Sequence, residues 1–329
     1  MRHVAKTIVM AGVALFWATP SLSDDINIGY QTGIEPAKLA IADKDYERVS
    51  GEKINWRRFD NGAELIRAIA SGDVDIGNIG STIVAAAASR HLPIKTFLVA
   101  AQLGASEAFI VRNGSGINKP EDLLGKTIAV PFVSTSHYSL LSALKHWQLD
   151  VSKIKIINLR ASEISAAWRR GDIDGAYVWE PALGAIKESG KVFATSADVA
   201  SWGAPTFDLW VASDKFATKN PNFLTTFSQV SLAKIDAYQS DPKAFSDSPQ
   251  NLKKIASVTG AKTSDIHTLL GGDAYPQISQ QQTLLSSTVA KAISDTAVFL
   301  KAQGKLDVVL PEYRTFTTVQ YLNPSSVQK

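Results

Sequence analysis

Residues 64–82, ELIRAIASGDVDIGNIGST, decide the fold, because residues 163–181, EISAAWRRGDIDGAYVWEP, repeat their pattern 99 positions later without a gap. Five positions are identical: Glu64 and Glu163, Ala68 and Ala167, Gly72 and Gly171, Asp73 and Asp172, and Asp75 and Asp174. Each copy predicts an amphipathic helix, a Gly that ends it, and a buried strand. A duplicated α/β unit of this kind predicts two similar lobes with a cleft between them.

The composition agrees with two compact domains and narrows the function. The chain has 329 residues, of which 45% are hydrophobic. A chain of this length is longer than one hydrophobic core usually organises. Its 34 Lys and Arg nearly balance 31 Asp and Glu, which argues against nucleic acid or an anionic membrane as a partner. The absence of Cys excludes thiol catalysis and zinc-thiolate sites. We expect no metal and no cofactor.

Residues 1–23 have the layout of a secretory signal. Arg2 and Lys6 precede the apolar run 7–17, and Ser21 and Ser23 supply small residues at a cleavage site. The alternative is a membrane anchor, but the run is short for a bilayer span. An exported, two-lobed chain without Cys is most simply a bacterial periplasmic protein, and we expect it to be a monomer.

The order of predicted elements also repeats, which sets the lobe boundaries. Strands are predicted at 26–30, 53–59, 127–131 and 155–159, each set being completed by one copy of the repeat. Alternating strands and helices predict parallel, doubly wound sheets. Segments 107–112 and 207–213 are predicted to cross between the lobes as a two-strand hinge. Lobe one then comprises 24–109 plus 213–329, lobe two comprises 110–212, and the helices after 214 cap lobe one.

Two loops at the carboxyl ends of strands carry the features of an anion site. Ligands of doubly wound sheets bind at this edge, and a helix N-terminus with nearby hydroxyls favours negative charge. The hydroxyl residues are Ser81, Thr82, Ser134, Thr135 and Ser136. The alternative is that each is only an N-cap. Neither loop contains Lys or Arg, which favours a sulfonate over a phosphate or dicarboxylate.

A cationic group has candidate partners elsewhere. Asp208 and Glu35 are placed to accept an ammonium, and Trp179, Trp202, Tyr30 and Tyr138 are candidate walls for it. The alternatives are an exposed acid for Glu35 and core packing for the tryptophans. His137 follows several serines, but no G-x-S-x-G motif accompanies it, so we do not expect a hydrolase or any other enzyme.

Five segments carry a resemblance that covers essentially the whole chain after residue 23. They are YQTGIEPAKLA (30–40), WRRFDNGAELIRAIASGDVDIGNIGS (56–81), KPEDLLGKTIAVPFVSTSHYSLLSALKHW (119–147), WRRGDIDGAYVWEPA (168–182) and WGAPTFDLWV (202–211). They resemble the taurine-binding periplasmic proteins of the aliphatic sulfonate and nitrate solute-binding family. This resemblance implies a type II periplasmic binding fold that closes on its ligand and delivers it to the permease of an ABC importer.

The resemblance also implies roles for residues of this chain. The sulfonate would contact the loops at 80–82 and 134–137, which include His137, and the amine would meet Asp208 with Glu35 and Gln31 nearby. Trp179 completes the expected ligand-binding set. Thr82 replaces a Ser of the family pattern, Glu180 adds a carboxylate near the cleft, and Arg160 stands where a neutral residue is expected.

Three rival hypotheses remain open at this point. A binding protein for another alkanesulfonate or small zwitterion would share most of these residues. An enzyme on a similar fold, such as one that makes the thiamine pyrimidine, would need a reactive His or Cys set and no export signal. A sensor domain of a regulator would need a DNA-binding or membrane-spanning segment.

Overall fold

The structure is a computed structural model, and it describes residues 25–323. The predicted signal segment 1–23 therefore lies outside the described residues. Within the described range, no helix is both long and apolar enough to cross a membrane.

The first part of the chain builds one α/β layer. Its elements are β1 (Ile26–Tyr30), α1 (Lys38–Ala42), α2 (Asp45–Ser50), β2 (Ile54–Arg58), α3 (Gly62–Ser71), β3 (Ile76–Gly80), α4 (Ser81–Ser89) and β4 (Ile94–Gln102). Strands β2, β1 and β3 are parallel neighbours. The predicted strands at 26–30 and 53–59 are confirmed to within a residue.

The second part repeats this plan. Its elements are β5 (Glu107–Arg112), β6 (Thr127–Val130), α5 (Thr135–His146), β7 (Lys155–Asn158), α6 (Ala161–Arg170), β8 (Gly175–Trp179), α7 (Ala182–Lys187), β9 (Gly190–Thr195) and α8 (Ser196–Ser201). Short 3₁₀ turns lie at Pro120–Leu123 and Val151–Lys153. Strands β7, β6 and β8 are parallel neighbours.

The last part is helical after one strand. It comprises β10 (Phe207–Ser213), α9 (Asp214–Lys219), α10 (Pro221–Ser240), α11 (Pro242–Asp247), α12 (Pro249–Thr259), α13 (Thr263–Leu269), α14 (Ile278–Thr283), a π-helical turn (Leu284–Thr288) and α15 (Val289–Ala302), followed by a 3₁₀ turn (Arg314–Phe316). Helices α10, α12 and α15 pack on α2, α1 and α4 respectively. The helices thus cover the first sheet, while Phe299 of α15 also meets Tyr138 of α5.

The expectation of wholly parallel sheets is wrong at one strand in each. The sheet orders are β2-β1-β3-β10-β4 and β7-β6-β8-β5-β9. Strand β10 is antiparallel to β3 and β4, and β5 is antiparallel to β8 and β9. The physical reason is that each of these strands enters from the other sheet, so no helix returns the chain to run it in the common direction.

The same pairings locate the crossings between the sheets. All of β5 pairs within the second sheet and all of β10 within the first, so the chain changes sheets at 103–106 and 202–206. The predicted boundaries at 109/110 and 212/213 fall inside these strands. The division into lobes at those residues stays a prediction.

The two copies of the repeat fold alike. Helices α3 and α6 bury Leu65 and Ile164 completely and end at Gly72 and Gly171, whose φ angles are 83° and 84°. This left-handed conformation ends a helix at little steric cost only for Gly. Strands β3 and β8 follow, fully buried.

The two aspartates of each repeat have different roles. Asp73 is exposed and accepts a hydrogen bond from Ser71. Asp75 is half-buried, and its Oδ2 accepts the backbone N–H of Asn27 at 2.9 Å. In the second copy, Asp174 Oδ2 accepts the N–H of Thr127 at 2.8 Å. The second aspartate therefore fastens the repeat to the first strand of its sheet.

We expect Asp75→Ala and Asp174→Ala each to lower the free energy of unfolding by about 1–3 kcal/mol, because a half-buried N–H loses its charged acceptor. Asp73→Ala is the matched control, and we expect it to change stability by less than about 0.5 kcal/mol. Urea unfolding followed by circular dichroism measures all three. Equal losses for Asp73 and Asp75 would contradict the division of roles.

Candidate functional site

A cavity lies between the two sheets, at the carboxyl ends of β1, β3, β6 and β8. Its empty volume, counted to the mouth of the cleft and including space open to solvent, is about 440 Å³. Residues from both halves of the repeat line it: Gln31, Gly33, Gly62, Gly80, Ile83, Leu103, Ser106, Glu107, Ser134, Thr135, Trp179 and Asp208. Five of these were predicted from sequence: Gln31, Ser134, Thr135, Trp179 and Asp208.

Two helix N-termini meet at this cavity. Gly80 precedes the first turn of α4, and Thr135 begins α5. A Cβ atom on Gly80 would lie 2.7 Å from Thr135 Cγ2, which is closer than real contacts allow. Gly80 is therefore required for the close approach of the two helix starts. Both starts direct unpaired N–H groups and positive partial charge towards the same space.

The hydroxyl groups divide into two kinds. Ser134 Oγ accepts the N–H of His137 at 3.1 Å and donates to the carbonyl of Pro131 at 2.6 Å, so it acts as an N-cap. Ser81 is buried, and its Oγ accepts the N–H of Phe207 at 3.2 Å. The capping alternative thus accounts for Ser134, while Ser81 ties α4 to β10.

Thr82 and Ser136 are buried behind the cavity lining. Thr82 Oγ1 has no hydrogen-bond partner among the described residues. Ser136 Oγ lies near the Glu107 carboxyl but makes no hydrogen bond of good geometry within the same range. Since a buried hydroxyl without a partner costs free energy, these two groups are candidates to rotate towards a bound anion.

Asp208 supplies a carboxyl group to the lining of the cavity. It is half-buried at the start of β10. A Cβ atom added to Gly33 would lie 3.0 Å from Asp208 Oδ2, so the carboxyl lies close to the Gly33 backbone. Burial raises the pKa of Asp208 to about 7. The negative charge of Glu35 also raises this pKa, and the positive charge of Lys38 lowers it. The carboxyl therefore lacks a sufficient counter-ion among the side chains around it.

Glu35 is buried, so the alternative of an exposed acid is wrong. Its Oε1 accepts a hydrogen bond from Lys38 Nζ at 2.6 Å, so the ammonium that it contacts here belongs to the protein. Lys38 is itself fully buried, donates to Asn78 Oδ1 at 3.1 Å and lies 5.7 Å from the centre of the Trp210 ring. Glu35 does not line the cavity, and its carboxylate is already paired with Lys38.

Sequence reasoning missed both Lys38 and Glu107. The spacing of Glu35 and Lys38, three residues apart, was the available signal for an ion pair. Glu107 is buried, lines the cavity and is hydrogen-bonded through Oε1 to Thr135 Oγ1. Its signal was an acid at the start of the apolar strand EAFIVR. Burial raises the pKa of Glu107 to about 8. The hydrogen bond with Thr135 lowers this pKa, and the negative charges of Asp208 and Asp273 raise it.

His137 does not line the cavity. Its ring stacks on Phe132 with centroids 4.6 Å apart, and its Nδ1 accepts the N–H of Val133 at 3.3 Å. Val133 has a φ of 61°, a strained conformation for a β-branched residue. His137 therefore supports the strained loop that leads into α5.

The aromatic candidates separate in the same way. Trp179 is buried and lines the cavity, whereas Trp202 stacks on His146 at 4.2 Å. Tyr30 packs edge-on against Trp56, and Tyr138 packs against Phe299. Only the first of the four predicted wall residues is therefore placed to contact a ligand in the described cavity.

Glu180 and Arg160 point away from the cavity. The buried Glu180 Oε2 accepts the N–H of Gly184 at 3.1 Å, and its backbone carbonyl accepts the hydroxyl of Thr32 at 2.6 Å, joining the two halves. Arg160 is exposed and pairs with Glu163 at 2.8 Å. Within residues 25–323, no group of three acidic or His side chains is arranged to hold a metal.

The chain matches known proteins along most of its length. Residues 43–245 match the family described as NMT1/THI5 like. The chain is 45% identical over 318 residues to the taurine-binding periplasmic protein of Escherichia coli strain K12, covering 97% of this chain and 98% of that protein.

Solved structures show the same fold. The alkanesulfonate-binding protein SsuA of Xanthomonas axonopodis pv. citri, bound to MOPS, superimposes with a TM-score of 0.74 at 22% identity, covering 89% of this chain and 98% of that one. The periplasmic aliphatic sulphonate binding protein SsuA of Escherichia coli gives 0.67 at 22% identity, covering 92% and 100%. The type II periplasmic binding fold is thereby confirmed.

We expect His137 to remain neutral from pH 8 down to about pH 5, because burial and then the charge of Lys305 lower its pKa to about 4. The unfolded chain binds this proton near pH 6.5, so folding stability falls as the pH drops from about 6.5 towards 4. An NMR titration of the His137 ring measures the pKa. Titration near 6.5 would contradict the buried placement.

Proposed function

The chain belongs to the NMT1/THI5-like family and, within it, to the periplasmic sulfonate-binding proteins, and from this premise we propose that it captures taurine, 2-aminoethanesulfonate, between its two lobes. The observation that carries the proposal is that one cavity combines groups of opposite polarity. Two helix starts with their hydroxyls and the carboxyl of Asp208 all line it. A ligand with a negative and a positive end fits this arrangement.

The sulfonate would lie against the starts of α4 and α5. The twelve described residues that line the cavity include neither Lys nor Arg. A sulfonate is the weakly basic anion of a strong acid, and neutral donors and helix dipoles can bind it. Phosphates and dicarboxylates more often bind the guanidinium group of an Arg. The donors would be the N–H groups after Gly80 and Ser134, with the unpaired hydroxyls of Thr82 and Ser136 behind them.

The ammonium would pair with Asp208. Lys38 already neutralises Glu35, so Glu35 has little charge to offer a ligand. Asp208 has a raised pKa because it is desolvated and faces another acid, and a bound ammonium would supply its missing counter-ion. Gln31 and Trp179, which also line the cavity, would wall the short carbon chain between the two ends.

The function in the cell follows from the family. We propose that the chain works in the periplasm as a monomer, binds its ligand by closure of the lobes about 103–106 and 202–206, and delivers it to the permease of an ABC importer. It is a binding protein and not an enzyme, in keeping with the 45% identity to a curated binding protein over nearly its whole length. Another alkanesulfonate or small zwitterion is the alternative ligand.

We expect titration calorimetry to show tight binding of taurine and weaker binding of ethanesulfonate, which has no amine. Asp208→Asn keeps the shape but removes the charge, and we expect it to lose about 2–5 kcal/mol of taurine binding, since a buried charge loses its partner. Its effect on ethanesulfonate should be much smaller. Equal affinities of the wild type for both ligands would overturn the role of Asp208, and no binding of taurine would overturn the proposed function.

A second prediction tests closure at Gly80. We expect Gly80→Ala to weaken taurine binding by about 1–3 kcal/mol, because the added methyl group would lie 2.7 Å from Thr135 Cγ2 in this arrangement of the lobes, which we infer to be the ligand-binding one. The thermal midpoint of the ligand-free protein should hardly change. Thr135→Ser removes Cγ2 and keeps the hydroxyl, so the double variant should recover most of the affinity. A loss that persists in the double variant would argue against an overlap at this atom.

A further inference from the structure

The register of the two sheets places an acid at equivalent positions of both lobes. Asp208, in β10, lies opposite Gly80, the last residue of β3. Glu107, in β5, lies opposite Trp179, the last residue of β8. The sequence repeat aligns Gly80 with Trp179, so the two acids are counterparts on the two crossing strands. Both line the same cavity.

Glu107 joins the starts of two helices of the second lobe. It is 4% exposed, and its Oε1 is hydrogen-bonded to Thr135 Oγ1 at the start of α5. Its Oε2 accepts a hydrogen bond from Ser196 Oγ, at the start of α8, at 3.3 Å. Ser196 Oγ in turn lies 3.1 Å from the hydroxyl of Tyr177. Glu107 is thus held by the hydroxyls at the starts of α5 and α8.

This position creates a conflict if Glu107 is ionised. A hydroxyl has one proton, and Thr135 must direct it at Glu107 when that group is a carboxylate. The Thr135 oxygen would then present lone pairs to the sulfonate. If Glu107 is a neutral carboxylic acid, it can donate to Thr135 Oγ1 instead, and the Thr135 proton becomes free to face the anion.

We propose that Glu107 is a positioning residue for the anionic end of the ligand, acting as a neutral carboxylic acid that donates to Thr135 and so turns the Thr135 hydroxyl towards the sulfonate. This inference rests on the proposed function, since it assigns the sulfonate to the start of α5. It gives the two counterpart acids opposite duties. Asp208 accepts from the ammonium, and Glu107 supplies a proton to the hydrogen-bond chain that holds the sulfonate.

The charges that face Glu107 favour its neutral form. Asp208 on β10 and Asp273 in the loop after α13 add negative charge, and Tyr177 on β8 is a neutral phenol. The groups that face it from α5 and α8 are hydroxyls, those of Thr135, Ser136 and Ser196. Burial is the largest cause, and together with these charges it raises the pKa of Glu107 to about 8.

The test is taurine affinity between pH 6 and 9.5 for the wild type, Glu107→Gln and Glu107→Ala. Wild-type affinity should fall above pH 8 by up to about tenfold per pH unit, because the complex must retain one proton. Glu107→Gln can donate from its amide, so it should bind within about threefold of wild type at pH 6.5 and lose less at high pH. Glu107→Ala should bind at least about tenfold more weakly than wild type at pH 6.5.

The difference between wild type and Glu107→Gln is the readout, because the taurine amine also titrates at alkaline pH and affects both proteins equally. Circular dichroism should show that all variants are folded. Parallel pH profiles for wild type and Glu107→Gln would overturn the proposal, as would a loss in Glu107→Gln as large as in Glu107→Ala. Failure of the wild type to bind taurine at any pH would instead overturn the proposed function itself.

Thr135→Val tests whether Glu107 acts through the hydroxyl. Once the hydroxyl is gone, exchanging Glu107 for Gln should change taurine affinity by less than about twofold, since the two residues form one hydrogen-bonded unit. In the single variant Thr135→Val, taurine affinity above pH 8 should fall no more steeply than it does in Glu107→Gln. Additive effects of the two substitutions would show that Glu107 acts independently of Thr135, contrary to the proposal.

Discussion

The convergence of two helix N-termini on one small cavity is the constraint on which the site depends. Gly80 and Thr135 approach so closely that a single methyl group would separate them, and each begins a helix with unpaired N–H groups. Like partial charges face each other there, so the arrangement is unfavourable until an anion lies between them. Asp208 has the converse problem, because the negative charges of Glu35 and Asp273 lie near it. The zwitterion that we propose as ligand would relieve both repulsions at once.

The internal duplication builds this cavity by repeating the scaffold and varying the strand ends. Gly72 and Gly171 end equivalent helices, and Asp75 and Asp174 fasten equivalent strands. The copies then diverge at the residues that reach the ligand. One strand ends at a Gly that admits the opposite lobe, and its counterpart ends at Trp179, which fills space. Symmetry sets the position of the cleft, and the loss of symmetry gives it two chemically different sides.

Sequence reasoning predicted the parts of the fold that depend on local patterns. Strand ends, helix starts and hydroxyl-rich loops follow from periodicity and capping, which is why Ser134, Thr135 and Asp208 were placed correctly in the cavity. The antiparallel crossing strands could not be read in this way, since strand direction depends on which sheet receives the chain. The buried Lys38 and Glu107 were missed because a charged residue indicates exposure unless its partner is known, and the partner Thr135 lies 28 positions from Glu107. His137 was misplaced because sequence distance does not say which way a side chain turns.

Lys38, the one buried lysine among residues 25–323, explains how a cluster of acids can still discriminate between ligands. Without Lys38, Glu35 and Asp208 would compete for one ammonium, and any small cation could satisfy part of the charge. Lys38 binds Glu35 through a short ion pair and is fixed by Asn78, so it cannot swing out to neutralise Asp208 completely. The negative charge of Asp208 is thus only partly compensated. If a sulfonate without an amine were bound, Asp208 would be buried without a counter-ion. Specificity in such a site comes from what the wrong ligand leaves unpaired rather than from what the right ligand touches.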